Sequence, residues 1–263
     1  MYKTVEDIER EVWNRYFAEA LDNKGQETEN KDLWWQISED DTVDIIYEIF
    51  AQRPIEILEA GCGSGGTNFS LAERLNVARI DLLDISENAL KYAQKITPPA
   101  LADITHYTLG SVFEFEPVRQ YDLVWNTGLI EHYDKDNIIK IVANMLKCVK
   151  KGGVAVIGMP NRKSPAILKA ALLGTNFAKK YLPFIKGYRN TTEILYSDNE
   201  IKALFENNFD VDVQIKYAGS PLFVGTPKCM VRTVNKMFQK TAFSFLTYFI
   251  LTERKSYEHQ ILS

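Results

Sequence analysis

Residues 55–66 read Ile-Glu-Ile-Leu-Glu-Ala-Gly-Cys-Gly-Ser-Gly-Gly, an apolar run that ends in a cluster of glycines. A turn this rich in glycine lets the backbone approach a ligand closely, because no Cβ intervenes and positive φ costs little. Thr67, Phe69, Leu71, Ala72 and Leu75 follow and predict a helix start. Strand, glycine turn and helix together form the first half of a nucleotide-type cofactor site. From residue 43 to 160 the chain then alternates between strand and helix patterns, with Ile138, Ile141, Val142, Met145, Leu146 and Val149 as a helical stripe. Such alternation predicts an α/β fold with a parallel sheet covered by helices on both faces. Right-handed crossovers put the strand ends on one edge, outside which ligands bind. Glu59, Asp84, Ser111 and Asn126 all fall at such ends.

Gly61, Gly63 and Gly66 fit the G-x-G-x-x-G spacing of dinucleotide binders, a pattern of low specificity by itself. Glu59, two residues before the first glycine, separates the readings. A pyrophosphate needs positive potential and is repelled by a carboxylate, whereas a cationic amine is attracted. Residues 57–65, Ile-Leu-Glu-Ala-Gly-Cys-Gly-Ser-Gly, resemble the first motif of the class I (Rossmann-like) S-adenosylmethionine (SAM)-dependent methyltransferases of small-molecule type. SAM carries an α-ammonium and a sulfonium. The resemblance continues at residues 78–84, which look like the second strand ending in Asp84, followed by Ser86 and Glu87 as helix cap and first turn. It continues at 121–126 with Glu131-His132 after it, and at 146–153 leading into a fifth strand that ends at Pro160-Asn161.

The resemblance covers residues 45–160 and implies a seven-stranded, mostly parallel, doubly wound sheet with the last strand antiparallel. It also implies an N-terminal helical lid and a helical insertion after strand 5. Residues 1–263 then form one domain, with 1–45 as cap and 162–192 on the substrate side. The implied cofactor-binding residues are Glu59, Gly61, Gly63, Asp84, Ile85, Ser111, Val112 and Asn126, with Asp84 accepting both ribose hydroxyls. One departure stands out. Many relatives carry an acid after the third strand, where this chain has Leu109-Gly110-Ser111-Val112, so any adenine contact falls to the Ser111 hydroxyl or the backbone.

Trp13, Tyr16, Phe17, Ala20 and Leu21 predict an amphipathic helix over 5–22, packed on the core or serving as a lid. Lys24-Gly25 reads as a break, and Trp34-Trp35 as either ordinary packing or a closure of the pocket. Beyond 160, residues 164–187 read as one or two helices, Ser197-Asp198-Asn199-Glu200 as a capping box, 210–217 as a strand, 228–239 as a helix and 245–252 as the last strand.

With 46% apolar residues the chain is expected to be globular, and its longest apolar run, near 245–251, is too short for a membrane span. No signal peptide is evident, and Cys62, Cys148 and Cys229 have no disulfide or metal spacing. A cytoplasmic protein without a metal site is the expectation. Charge is uneven: residues 1–50 are acidic, while 162–192 and 213–252 carry lysine and arginine and no acid. For 162–192 three readings stand side by side. They are a solvated face, an anionic substrate, and peripheral membrane contact through 164–187 suited to a lipid or quinone-like acceptor. Nucleic acid is not expected from a chain of net charge −4.

Methyl transfer from SAM needs a nucleophile held in line at about 3–3.5 Å, and a base only if that nucleophile arrives protonated. His132, after the fourth strand, is the candidate base; Glu131 beside it reads as structural, and Tyr16, Tyr133 and Tyr188 as pocket lining or packing. The acceptor expected is a small molecule methylated on O, N or C. An NAD(P)-dependent oxidoreductase shares the glycine turn, but no Tyr-x-x-x-Lys pair occurs. A non-catalytic SAM-binding module shares every feature up to Asp84.

Overall fold

The computed structural model describes residues 4–22, 33–50, 53–174, 193–222 and 226–254. Seven strands form one sheet: β1 (Ile55–Ala60), β2 (Val77–Asp84), β3 (Thr105–Leu109), β4 (Tyr121–Thr127), β5 (Val149–Pro160), β6 (Val211–Ala218) and β7 (Leu246–Glu253). Their order is β3-β2-β1-β4-β5-β7-β6. The first five strands are parallel in sheet order, and β7 runs antiparallel to both β5 and β6. The strand order reverses between β1 and β4, which creates a crevice at their carboxyl ends.

The described helices are α1 (Val5–Asp22), α2 (Leu33–Phe50), α3 (Gly66–Arg74), α4 (Glu87–Ile96), α5 (Lys135–Lys147), α6 (Pro165–Gly174), α7 (Asp198–Asn208) and α8 (Lys228–Phe238). Successive strand residues point to opposite faces, and two cores result. Ile57, Leu123 and Val156 pack with Ile46 and Phe50 of α2 and Leu71 of α3. Leu58, Val124 and Ile157 pack with Ile138, Ile141, Val142 and Met145 of α5 and with Ile201 and Phe205 of α7. Each of these residues is at most 2% exposed, so the central strands are covered on both faces and their apolar runs are continuous.

Helix starts are fixed by side-chain caps. Ser86 Oγ accepts from the Ala89 N–H, Asp134 from the Asn137 N–H, and Ser197 with Glu200 completes the capping box. Each cap contributes about 1 kcal/mol. The expected helix over 5–22 and the last three elements appear within a residue or two of their sequence-based limits. Trp34 and Trp35 lie in the first turn of α2, Trp34 buried and Trp35 exposed. The Lys24-Gly25 break lies outside the described residues, as do Phe177, Lys179, Lys180, Leu182, Phe184, Lys186, Tyr188 and Arg189. Among the described residues, no helix is long and apolar enough to cross a membrane.

Candidate functional site

The glycine turn between β1 and α3 takes positive φ at Gly61 (66°), Gly63 (52°) and Gly65 (65°), whereas Gly66 is already helical. The conformationally required glycines are thus G-x-G-x-G, and Gly66 belongs to the helix. A Cβ on Gly65 would lie 2.6 Å from Leu82 Cδ1, so Gly65 lets the turn pack on β2. A Cβ on Gly63 would meet only the Phe17 ring, at 3.4 Å, because that glycine faces a cavity.

Asp84 ends β2 beside this turn. Its Oδ2 accepts from the Gly63 N–H and its Oδ1 from the Ser86 N–H, both at 2.8 Å. The Ile85 N–H is a further backbone donor to the carboxyl. Burial pushes the Asp84 carboxyl up, against the lowering effect of those N–H donors. Glu59 lies at the end of β1. Asn68 Nδ2 donates to its Oε2 at 2.5 Å, and the Trp125 indole N–H donates in turn to Asn68 Oδ1 at 3.0 Å. Burial holds Glu59 well above the usual carboxylate range, and the nearby Asp84 charge adds to the shift. Two desolvated carboxyls beside a bare turn fit a cationic ligand carrying a vicinal diol, and repel a pyrophosphate.

Gly61, Gly63, Asp84, Ile85 and His132 line one cavity of about 130 Å³ at this crevice, joined by Tyr133. Glu59, Ser111, Val112 and Asn126 are not part of that lining. Ser111 Oγ accepts from the Phe113 N–H, and the Val112 carbonyl accepts from Asn144 Nδ2. Asn126 is fully buried, its Nδ2 facing Met145 Sδ at 3.3 Å and its Oδ1 lacking a partner. Tyr16 is exposed and lines neither this cavity nor its neighbour. Burial raises the Cys62 thiol well above its ordinary value, which fits a packing role.

Helix α1 closes this cavity. Asn14 Oδ1 accepts from Ser86 Oγ at 2.8 Å, Asn88 Nδ2 donates to the Asn14 carbonyl at 2.9 Å, and Phe17 packs on Tyr92. These contacts bring Glu9 and Trp13 over the glycine turn, and both line the cavity. His132 Nδ1 stands 3.5 Å from Glu9 Oε1, and its ring is edge-on to Trp13.

A second cavity, of about 300 Å³, adjoins the first and shares Trp13, Thr127, Gly128 and His132 with it. Trp34 and Trp35 from α2, Ala166 and Lys169 from α6, and Phe245 before β7 form other parts of its wall. Thr127 is held by a buried hydroxyl chain in which Tyr248 Oη lies 2.9 Å from both Thr127 Oγ1 and Thr42 Oγ1. Glu131 also lines this cavity. Its carboxyl is pushed up to about 8, chiefly by burial, with the charges of Glu193 and Glu9 adding to the effect. Glu9, Thr127 and Phe245 are the site residues that sequence reasoning did not select; Trp13 entered only through the lid reading of 5–22, and Glu131 only as a structural neighbour of His132. Only the Glu131-His132 dipeptide carried a local signal.

Residues 57–153 match a family described as Methyltransferase domain. The ubiquinone biosynthesis O-methyltransferase of Rickettsia bellii (strain OSU 85-389) is 30% identical over 162 residues, 60% of this chain and 62% of the relative. A mitochondrial ubiquinone biosynthesis O-methyltransferase of Candida albicans is 25% identical over 51% of this chain and 44% of the relative. The chain thus matches less than two thirds of the length of these curated relatives. Among solved structures, magnesium protoporphyrin IX methyltransferase from Synechocystis with bound SAH superposes with a TM-score of 0.60 at 14% identity. That match covers 95% of this chain and 100% of the other. A DhpI–SAH complex gives a TM-score of 0.59 at 14% identity over 97% and 100% of the two chains. At such identity the likeness establishes the fold. The domain match spans the glycine turn and the switch point, and the sheet order is that of the fold these SAH-bound structures share.

Proposed function

We propose that the protein transfers a methyl group from SAM to an O, N or C atom of a small-molecule acceptor. The observation that carries this reading is the pair of adjoining cavities with a common wall. One contains the glycine turn and Asp84, and the other is a larger, aromatic-walled space next to it. SAM supplies an activated methyl group. Gly61 and Gly63 give its amino-acid end a close approach to the backbone, and Glu59, near the end of β1 just before them, is assigned as the counter-charge to its ammonium. Asp84, which lines the smaller cavity, takes the ribose hydroxyls. Ile85, Ser111, Val112 and Asn126 are assigned to the adenine side and to the strand ends that frame it.

His132 stands on the common wall, where a base would accept the acceptor's proton, with Glu9 orienting its ring. Residues 1–45 act as cap, since Glu9, Trp13, Trp34 and Trp35 line the cavities. Residues 162–192 act as the substrate-side insertion, since Ala166 and Lys169 of α6 do likewise. The cysteines are free, which fits the cytoplasmic setting expected from the sequence.

Two variants test the assignments. Gly63→Val directs a branched side chain at positive φ into the smaller cavity, with only the movable Phe17 ring in its way. It is expected to lose SAM affinity by roughly a hundredfold, with a strain cost of about 1–2 kcal/mol that leaves the fold intact. Unchanged affinity contradicts the cofactor placement. His132→Ala is expected to lower kcat by about a hundredfold while the SAM Kd stays within about twofold; equal turnover removes it as base. The reading as a whole is tested by transfer of tritiated methyl from SAM to a panel of small molecules. Labelled product supports it, and SAM binding without transfer to any acceptor favours the non-catalytic module.

A further inference from the structure

The larger cavity combines aromatic rings with carboxyl groups. Trp34 packs edge-on to Trp35 at 4.7 Å between ring centroids and against Phe245 at 4.4 Å. Trp13 closes the side shared with the smaller cavity. Glu131 lines this space, is 4% exposed, and its Oε2 has no hydrogen-bond partner. Glu193 lines the same cavity and Glu9 the adjoining one. Among the described residues, the cationic or titratable groups on these cavity walls are Lys169, beside Glu131 and Glu193, and His132, at 3.5 Å from Glu9. Lys169 and Glu193 both have partners.

A buried carboxyl oxygen without a partner carries a desolvation penalty that a donor relieves. Ring faces attract cations through their quadrupole, and carboxylates add charge-assisted hydrogen bonds to an N–H. An anionic acceptor would instead bring a further negative charge to Glu131. We propose that the acceptor is an amine entering as an ammonium, seated among Trp13, Trp34, Trp35 and Phe245 with an N–H donated to the Glu131 carboxyl, which turns from its buried, unpartnered position to receive it. This inference rests on the methyl-transfer reading above. It runs opposite to the anionic acceptor compatible with the lysine-rich 162–192 segment, and differs from the quinone chemistry in the names of the relatives.

Calorimetric titration of the intact protein saturated with S-adenosylhomocysteine (SAH), the demethylated cofactor, tests it without turnover. The probes are 2-phenylethylamine, 2-phenylethanol and phenylacetate. The amine is expected to bind at least about tenfold more tightly than the alcohol, and phenylacetate to bind most weakly. At pH 7 the amine also releases a proton to buffer, because Glu131 is protonated in the empty cavity and ionises against the ammonium. Glu131→Gln brings amine and alcohol within about twofold of each other and leaves the SAH Kd unchanged. Trp35→Leu, at an exposed position, weakens the amine more than the alcohol. An amine no tighter than the alcohol, phenylacetate as the tightest probe, no binding by any of the three, or a preference that survives Glu131→Gln overturns the proposal while SAH still binds. Failure of SAH itself to bind overturns the methyl-transfer reading on which the proposal stands.

Discussion

Asp84→Ala is expected to weaken SAM binding by about a thousandfold, roughly 4 kcal/mol, while the folded state survives. Asp84 is 7% exposed and spends one lone pair of each oxygen on backbone, at Gly63 and Ser86. Asp84 also lines the cavity, where its carboxyl is proposed to accept the two hydroxyls of a vicinal diol. A hydrogen bond to a charged group contributes about 1.5–3 kcal/mol, so two of them account for most of the loss. The rest comes from the turn, since Gly63 loses the acceptor that fixes its N–H. The substitution leaves the freed N–H groups next to a cavity that admits water, and the Ser86 cap on Ala89 is independent of Asp84. Asp84→Asn keeps one acceptor and is expected to lose about tenfold less than the alanine variant. Calorimetry reads the affinity and circular dichroism the fold. An alanine variant within threefold of the wild type would remove Asp84 from the cofactor site.

Glu131→Gln is expected to raise thermal stability at pH 9 by about 10 °C relative to wild type, and to raise it far less at pH 5. Burial moves the Glu131 carboxyl from an ordinary value of 4.5 to about 8. Between these values the unfolded chain gives up the proton and the folded chain keeps it. The folded state therefore binds more protons, and stability falls as pH rises from about 4.5 to about 8, then stays level with respect to this group. The full penalty is on the order of 4 kcal/mol, and for a chain of this size each kcal/mol shifts Tm by about 2–4 °C. Glu59 and Asp84 are also raised by burial and act in the same direction. The difference between variant and wild type isolates Glu131. Any constant cost of the glutamine amide shifts both ends of that difference equally. Parallel Tm-against-pH curves would contradict the buried, protonated state of Glu131.

The sheet and the gathering of Gly61, Gly63, Asp84 and Ile85 around one cavity were readable along the chain because both follow local rules, whereas Ser111, Val112 and Asn126 lie off that cavity. Period-two burial puts Ile57 and Leu58 on opposite cores, and the same register brings Glu59 and Asp84 to the strand ends beside the glycine turn. Even there, spacing alone paired Gly63 with Gly66. Backbone geometry instead requires Gly65, because that glycine and not Gly66 carries the left-handed φ and meets Leu82. The acceptor side follows no local rule. Glu9 and Trp13 come from α1, Trp34 and Trp35 from α2, and Phe245 from the approach to β7, so the wall exists only after packing across the whole chain. Helical spacing put Tyr16 with Trp13 and Phe17, yet the docking of α1 through Asn14 and Phe17 on α4 turns Tyr16 outward. Glu131 looked structural because its dipeptide neighbour His132 has the more familiar chemistry. Its burial, its unpartnered Oε2 and the nearby Glu9 and Glu193 are visible only in three dimensions.

A carboxylate-framed glycine turn is expected to accept a cationic, diol-bearing cofactor and to reject a pyrophosphate. Calorimetric titration of the wild-type protein with SAH and, separately, with NADH addresses this directly. Saturable one-to-one binding of SAH with no heat from NADH is the predicted result; saturable NADH binding with none for SAH would contradict it.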